Sequence, residues 1–128
     1  MKTLVHSPTT GVYPAGADYA HAIEVRDASR LVFVAGTMGL DAEGAPGKTL
    51  DEQLELVWRN IPAILAAAGM GLGNIVRLTS YLRDASYADA NAAARVAALE
   101  GRVIPTTAIV AQTLDSKWLI EIEVIAAD

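Results

Sequence analysis

The chain contains no cysteine, one phenylalanine and two tryptophans in 128 residues. The first absence excludes disulfides, a thiolate nucleophile and any cysteine-based metal site. Aromatic residues make up only 5% of a chain that is 52% hydrophobic, so the core must be assembled from Ala, Val, Ile and Leu. Basic residues are also short, with 10 Lys and Arg against 15 Asp and Glu, for a formal charge of −5. That sign argues against a phosphate-binding footprint for nucleic acid and against docking on an anionic membrane. No apolar run approaches bilayer-spanning length, and Met1–His6 has no signal-peptide core, so a soluble cytoplasmic protein is expected. The two histidines, His6 and His21, lack spaced carboxylate partners, which predicts no metal site. Internal repeats are absent, and the length fits a single domain over 1–128. A mean hydropathy of +0.30 is high for so small a domain, and the excess reads as surface that associates with further copies.

Along the chain, Leu4–His6 is a short apolar start followed by a loop marked by Pro8, Gly11, Pro14 and Gly16. Tyr19–Arg26 and Leu31–Thr37 are strand-like and separated by Asp27-Ala28-Ser29-Arg30, which predicts a hairpin. Thr49-Leu50-Asp51-Glu52 fits a capping box, and Leu54, Val57, Trp58, Ile61, Ile64, Leu65 and Ala68 then recur at helical spacing. Pro62 predicts a kink within that helix, and Gly69 or Gly71 its end. Gly69, Gly71 and Gly73 lack the following lysine of a phosphate loop and read as a turn. Ile75–Leu82 alternates, with Arg77, Thr79 and Tyr81 on one face. Ser86 opens a second, alanine-rich helix to about Leu99, and two strands at 104–112 and 119–126 close the chain. The fold class is α+β, with one mixed sheet and two helices packed on one face. The other face then needs a cover that no third helix supplies.

The final strand is the most informative segment. Ile120, Ile122 and Val124 share one face, and Glu121 and Glu123 share the other with Leu119 and Ile125. Two carboxylates about 6.6 Å apart among large aliphatics mark a surface meant to be covered, where an acid is a candidate for proton work.

In this order and at this length, the elements resemble the Rid family, the RidA/YjgF group also called endoribonuclease L-PSP. The likeness rests on four pieces in register: Leu31–Gly36, Ala66–Gly69, Asn74–Asp84 and Ile120–Ala126. The resemblance implies a chorismate-mutase-like fold and a homotrimer whose sheets line a central β-barrel. It further implies three intersubunit clefts binding a small molecule, and hydrolysis of enamines and imines to ketoacids and ammonia without metal or cofactor. Carried over by position, Tyr19, Gly36 with its neighbour Thr37, Asn91 and Thr107 would bind substrate. Glu121, with the backbone carbonyl of Ile109, would hold the attacking water. The departure is Thr107, where deaminating members have an arginine that clamps the substrate carboxylate. One threonine hydroxyl replaces a bidentate, charged clamp. A non-standard substrate is therefore expected.

Each residue also has an ordinary reading. Glu121 could be a structural barrel acid, Tyr19 a strand-edge aromatic, Asn91 a helix-surface amide and Thr107 a plain strand residue. Glu123 reads as structural, paired with Arg77 or Lys117. Three functions follow: a hydrolase of the deaminase type, a non-catalytic ligand-binding or regulatory trimer, and a ribonuclease or translation inhibitor. The acidic charge counts against the last.

Overall fold

The computed structural model describes residues 1–128, and the helices show most directly how the sequence directs the chain. Helix α1 spans Leu50–Ala67. Its first turn is capped as the sequence predicts: the Glu52 N–H donates to Thr49 Oγ1 at 3.2 Å, and Glu52 reaches back to the Lys48 N–H at 2.7 Å. The helix runs unbroken through Pro62 and closes at Gly69, whose φ of +71° suits a residue without Cβ. Leu54, Val57, Ile61 and Leu65 form the buried stripe, but Ile64 lies outside it and Gln53 is buried instead.

Helix α2 spans Ala88–Ala98. Its entry corrects the Ser86 cap, because Asp84 accepts from both the Ser86 amide (2.9 Å) and hydroxyl (2.6 Å) and organises the turn Ala85–Tyr87. With its hydroxyl donated to Asp84, Ser86 does not cap α2, whose N-cap residue Tyr87 makes no side-chain capping bond.

Six strands follow the chain: β1 (Lys2–His6), β2 (Ala22–Arg26), β3 (Leu31–Met38), β4 (Ile75–Leu82), β5 (Thr106–Val110) and β6 (Ile120–Ala127). The main sheet is four-stranded and mixed, in the order β3-β6-β4-β5, with β4 and β5 parallel. The predicted hairpin and the single sheet are both corrected: β2 pairs with β1 in a separate two-stranded sheet. The reason lies at the intervening turn. Asp27 takes a left-handed φ of 57°, and the amides of Ser29 and Arg30 both donate to the carbonyl of Asp128 at the end of β6. The chain is thereby handed to an eight-residue partner, with Leu31 opposite Ala127, instead of turning back on β2.

The core lies between the helices and one sheet face. Ile120, Ile122, Val124, Leu78 and Leu82 meet Val57, Ile61 and Leu65 there. The opposite face carries no helix. The segment before β2 is latched to α2 by Arg95, which is buried and donates to the Asp18 carbonyl and carboxylate, each at 2.7 Å. The Arg95 guanidinium holds the Asp18 carboxyl below its ordinary value. A group whose pKa is lower in the folded state adds stability above its unfolded value and loses it as pH falls further. The Asp18 side chain is 43% exposed, so solvent screening limits the latch to about 1 kcal/mol. Thermal melts are expected to lose that increment from about pH 4 downward, and Asp18→Asn should lack the increment at every pH.

Candidate functional site

Antiparallel pairing of β6 with β4 sets three rows across the uncovered face. Glu121 stands opposite Tyr81, which is opposite Ile109 on β5. Glu123 stands opposite Thr79 and then Thr107, and Ile125 opposite Arg77. Alternation makes the placement obligatory, since burying Ile120, Ile122 and Val124 turns the two acids outward.

Strand β3 has a bulge in this region. Val34 pairs with Val124 and Thr37 with Ile122, so Ala35 and Gly36 together oppose Glu123. The Thr37 hydroxyl donates to Ala35 O at 3.0 Å and secures the bulge. Gly36 leaves room for the acid: a Cβ there would lie 2.7 Å from Glu121 Oε1 and 2.8 Å from its Cδ. The two residues linked by the resemblance are thus in direct contact. The Glu121 carboxylate, half buried, makes no ion pair and no side-chain hydrogen bond.

The remaining predicted residues fall elsewhere. Thr37 is buried opposite Ile122, on the core side and away from Glu121. Asn91 is 3% exposed on α2, so it is no surface amide, and its Oδ1 has no partner. Tyr19 lies in the loop beside the Asp18–Arg95 latch and not in a strand. One turn of α2 separates Arg95 from Asn91, so Tyr19 and Asn91 belong to one neighbourhood. That neighbourhood shares no hydrogen bond with the Gly36–Glu121 contact. Within one chain the predicted site is therefore divided.

Glu123 corrects an expectation. It accepts the Tyr81 hydroxyl at 2.6 Å and pairs with neither Arg77 nor Lys117. The carboxylate raises the Tyr81 pKa, since ionising the phenol would forfeit the bond and set two negative charges together. Thr107 accepts from Arg77 Nη2 at 2.9 Å. Arg77 and Tyr81 were visible as one face of an alternating strand, but their partners depend on inter-strand register. His21, expected from the sequence to be a structural histidine with its ring hydrogen-bonded, is not satisfied in that way. It sits edge-on to Tyr13 (5.2 Å) and Tyr19 (6.1 Å), with neither ring nitrogen hydrogen-bonded.

Beside Gly36, a recess of about 650 Å³ opens between β3 and α1, lined by Phe33, Gly36, Met38, Asn60 and Ile64. No three His, Asp or Glu side chains converge as metal ligands, and no helix is long and apolar enough to cross a membrane. Gly36→Ala is a sensitive probe of the contact. The displaced atoms belong to the mobile end of Glu121, so stability should change by less than about 1 kcal/mol.

Comparison with known proteins follows the same outline. The family profile described as endoribonuclease L-PSP matches residues 10–128. The RutC family protein YjgH of Escherichia coli is 34% identical over 80 residues, 59% of this chain and 60% of its own length. A RutC family protein of Pyrococcus abyssi is 41% identical over 68 residues, 52% of this chain and 51% of its own. The chain thus spans about half to three-fifths of these curated relatives. Among solved structures, YyfB from Yersinia pestis, described as a protein of unknown function of the conserved Rid family, covers 100% of both chains with a TM-score of 0.85 at 27% identity. RidA from an Antarctic Psychrobacter covers 89% of this chain and 91% of its own, with a TM-score of 0.73 at 29% identity.

Proposed function

The chain belongs to the endoribonuclease L-PSP family, the Rid/YjgF group, and on that premise we propose that it is a cofactor-independent hydrolase of small imines or enamines. It works as a cytoplasmic homotrimer with intersubunit clefts. The observation that carries this reading is the Glu121 carboxylate, half buried, unpaired and pressed against the Gly36 backbone on a face no helix covers. An acid with no structural partner has its lone pairs available for water. The second acceptor for that water, the Ile109 carbonyl on the edge strand, comes from the resemblance, and Ile109 stands in the same row as Tyr81 and Glu121.

Association through the outer face is supported by its apolar rim. Leu31 is 55%, Phe33 72% and Ile109 48% exposed in the single chain, an apolar surface of the kind that marks association. The count of three copies, and the joining of Glu121 with another chain's Tyr19 and Asn91, come from the resemblance. In the proposed reaction water adds to the C=N carbon while Glu121 takes its proton. Glu121 returns that proton to nitrogen to give the carbinolamine, then takes the hydroxyl proton and passes it to nitrogen as well, so that the C–N bond breaks and ammonia leaves behind a carbonyl.

A non-catalytic binding trimer is the second reading, favoured by Thr107, whose hydroxyl is engaged by Arg77. The net charge of −5 counts against a ribonuclease role. The test generates a 2-imino acid with an amino-acid oxidase and follows its decay. Acceleration by the wild type supports hydrolysis, and no acceleration leaves binding alone.

A further inference from the structure

We infer that the groove between α1 and α2 is a docking site for a basic amphipathic helix of another protein. The groove lies on the helical side, the reverse of the sheet face that bears Glu121, and encloses about 750 Å³. Trp58 and Leu72 rest on the core and form its floor, and Ala93 and Ala97 of α2 form one wall. A surface helix ordinarily turns its apolar side inward and its polar side to water. Helix α2 reverses this. Its polar residues Asn91 and Arg95 are buried, while Ala93 and Ala97 are exposed and Val96 is 36% exposed. Asp89 is the one charged side chain that α2 shows to solvent. The latch to Asp18 accounts for the inward arginine. Nothing within the chain covers the outward alanines.

Charge identifies the occupant. Asp51, Glu52 and Glu55 of α1 line the groove, and no basic residue does. Glu52 is engaged in the cap of α1, but Asp51 and Glu55 are exposed and make no ion pair. Four residues apart, they share one side of the helix. Lysine or arginine along one edge of an incoming helix meets these acids. Its leucine-sized side chains lie on the alanine wall, where small residues let two helix axes approach closely. A second copy of this chain would bring the same acids and a net charge of −5, so the partner is a different protein. Helix α2 has 11 residues and is about 16 Å long, which sets the docked length at roughly three turns.

Fluorescence titration tests it. In Trp118→Phe the only indole left is Trp58, which reports on the groove. The probe is a helical peptide of leucine, alanine and lysine, roughly 18 residues long so that it is helical on its own, with its leucines at helical spacing. The control carries glutamate in place of every lysine. The lysine peptide should shift the Trp58 emission to the blue and bind more weakly as salt rises, and the glutamate peptide should not bind. Ala93→Arg puts a bulky cation in the wall and should weaken binding more than about tenfold, the scale of an overpacked contact. Arginine is a good helix former, so the melting temperature should hold and separate a blocked groove from misfolding. Asp51→Lys combined with Glu55→Lys should weaken the lysine peptide about tenfold, the worth of two exposed charge pairs, and admit the glutamate peptide instead. Equal binding of the two peptides, binding of neither, or lysine-peptide affinity unchanged by Ala93→Arg overturns the proposal.

Discussion

Glu121→Gln is expected to lower imine hydrolysis about 10²- to 10⁴-fold, the range for removal of a positioned general base. The amide keeps the shape of the carboxylate against Gly36, so packing at the bulge survives. It lacks the basicity to take a proton from water. Stability should change little, because Glu121 makes no ion pair whose loss would leave a buried charge. Single-turnover decay of a trapped imine measures the first effect, and a variant as fast as wild type removes Glu121 from the chemistry. Gly36→Ala should show the same activity loss through displacement of the same carboxylate.

Gly39→Ala should have the largest effect on folding. A Cβ at Gly39 would lie 2.4 Å from the Gln53 carbonyl oxygen and 2.5 Å from its Cα. Unlike the contact at Gly36, these are backbone atoms in the first turns of α1. Gln53 cannot retreat, because its buried side chain joins three segments. Its Nε2 donates to Gly47 O (2.9 Å) and Lys117 O (2.8 Å), and its Oε1 accepts from the Leu119 N–H at 2.9 Å. A shift of α1 would break all three bonds. The expected loss is about 3 kcal/mol or more, which lowers the melting temperature by roughly 10 °C. A melting temperature within 2 °C or so of wild type would show that the β3–α1 approach is looser than described.

These two glycines also show where sequence reading reached and where it stopped. Strand alternation placed Glu121 and Glu123 outward and Ile120, Ile122 and Val124 inward, because the pattern is local and periodic. The cap at Thr49 was equally legible, since its partner lies three residues away. Sheet order was not. Insertion of β6 between β3 and β4 depends on pairs from 38 (Leu82 with Ile120) to 96 residues apart (Leu31 with Ala127), the long-range kind local pattern leaves open. Glu123 was assigned a basic partner from charge alone, but register placed Tyr81 within 2.6 Å. Asn91 carried a substrate-binding reading and an ordinary one as a helix-surface amide, and its burial removes the second, since the latch between Arg95 and Asp18 holds the loop beside it.

The division of the site is the physical reason the account requires more than one copy. Gly36 and Glu121 meet on the sheet, while Tyr19 and Asn91 gather near α2, and the apolar rim between solvent and acid is left bare. Light scattering of the purified protein at micromolar concentration tests this directly. The predicted result is a particle of three times the 13.4 kDa chain mass, which dissociates when Phe33 is replaced by Glu. A stable single-chain particle with wild-type activity would contradict it.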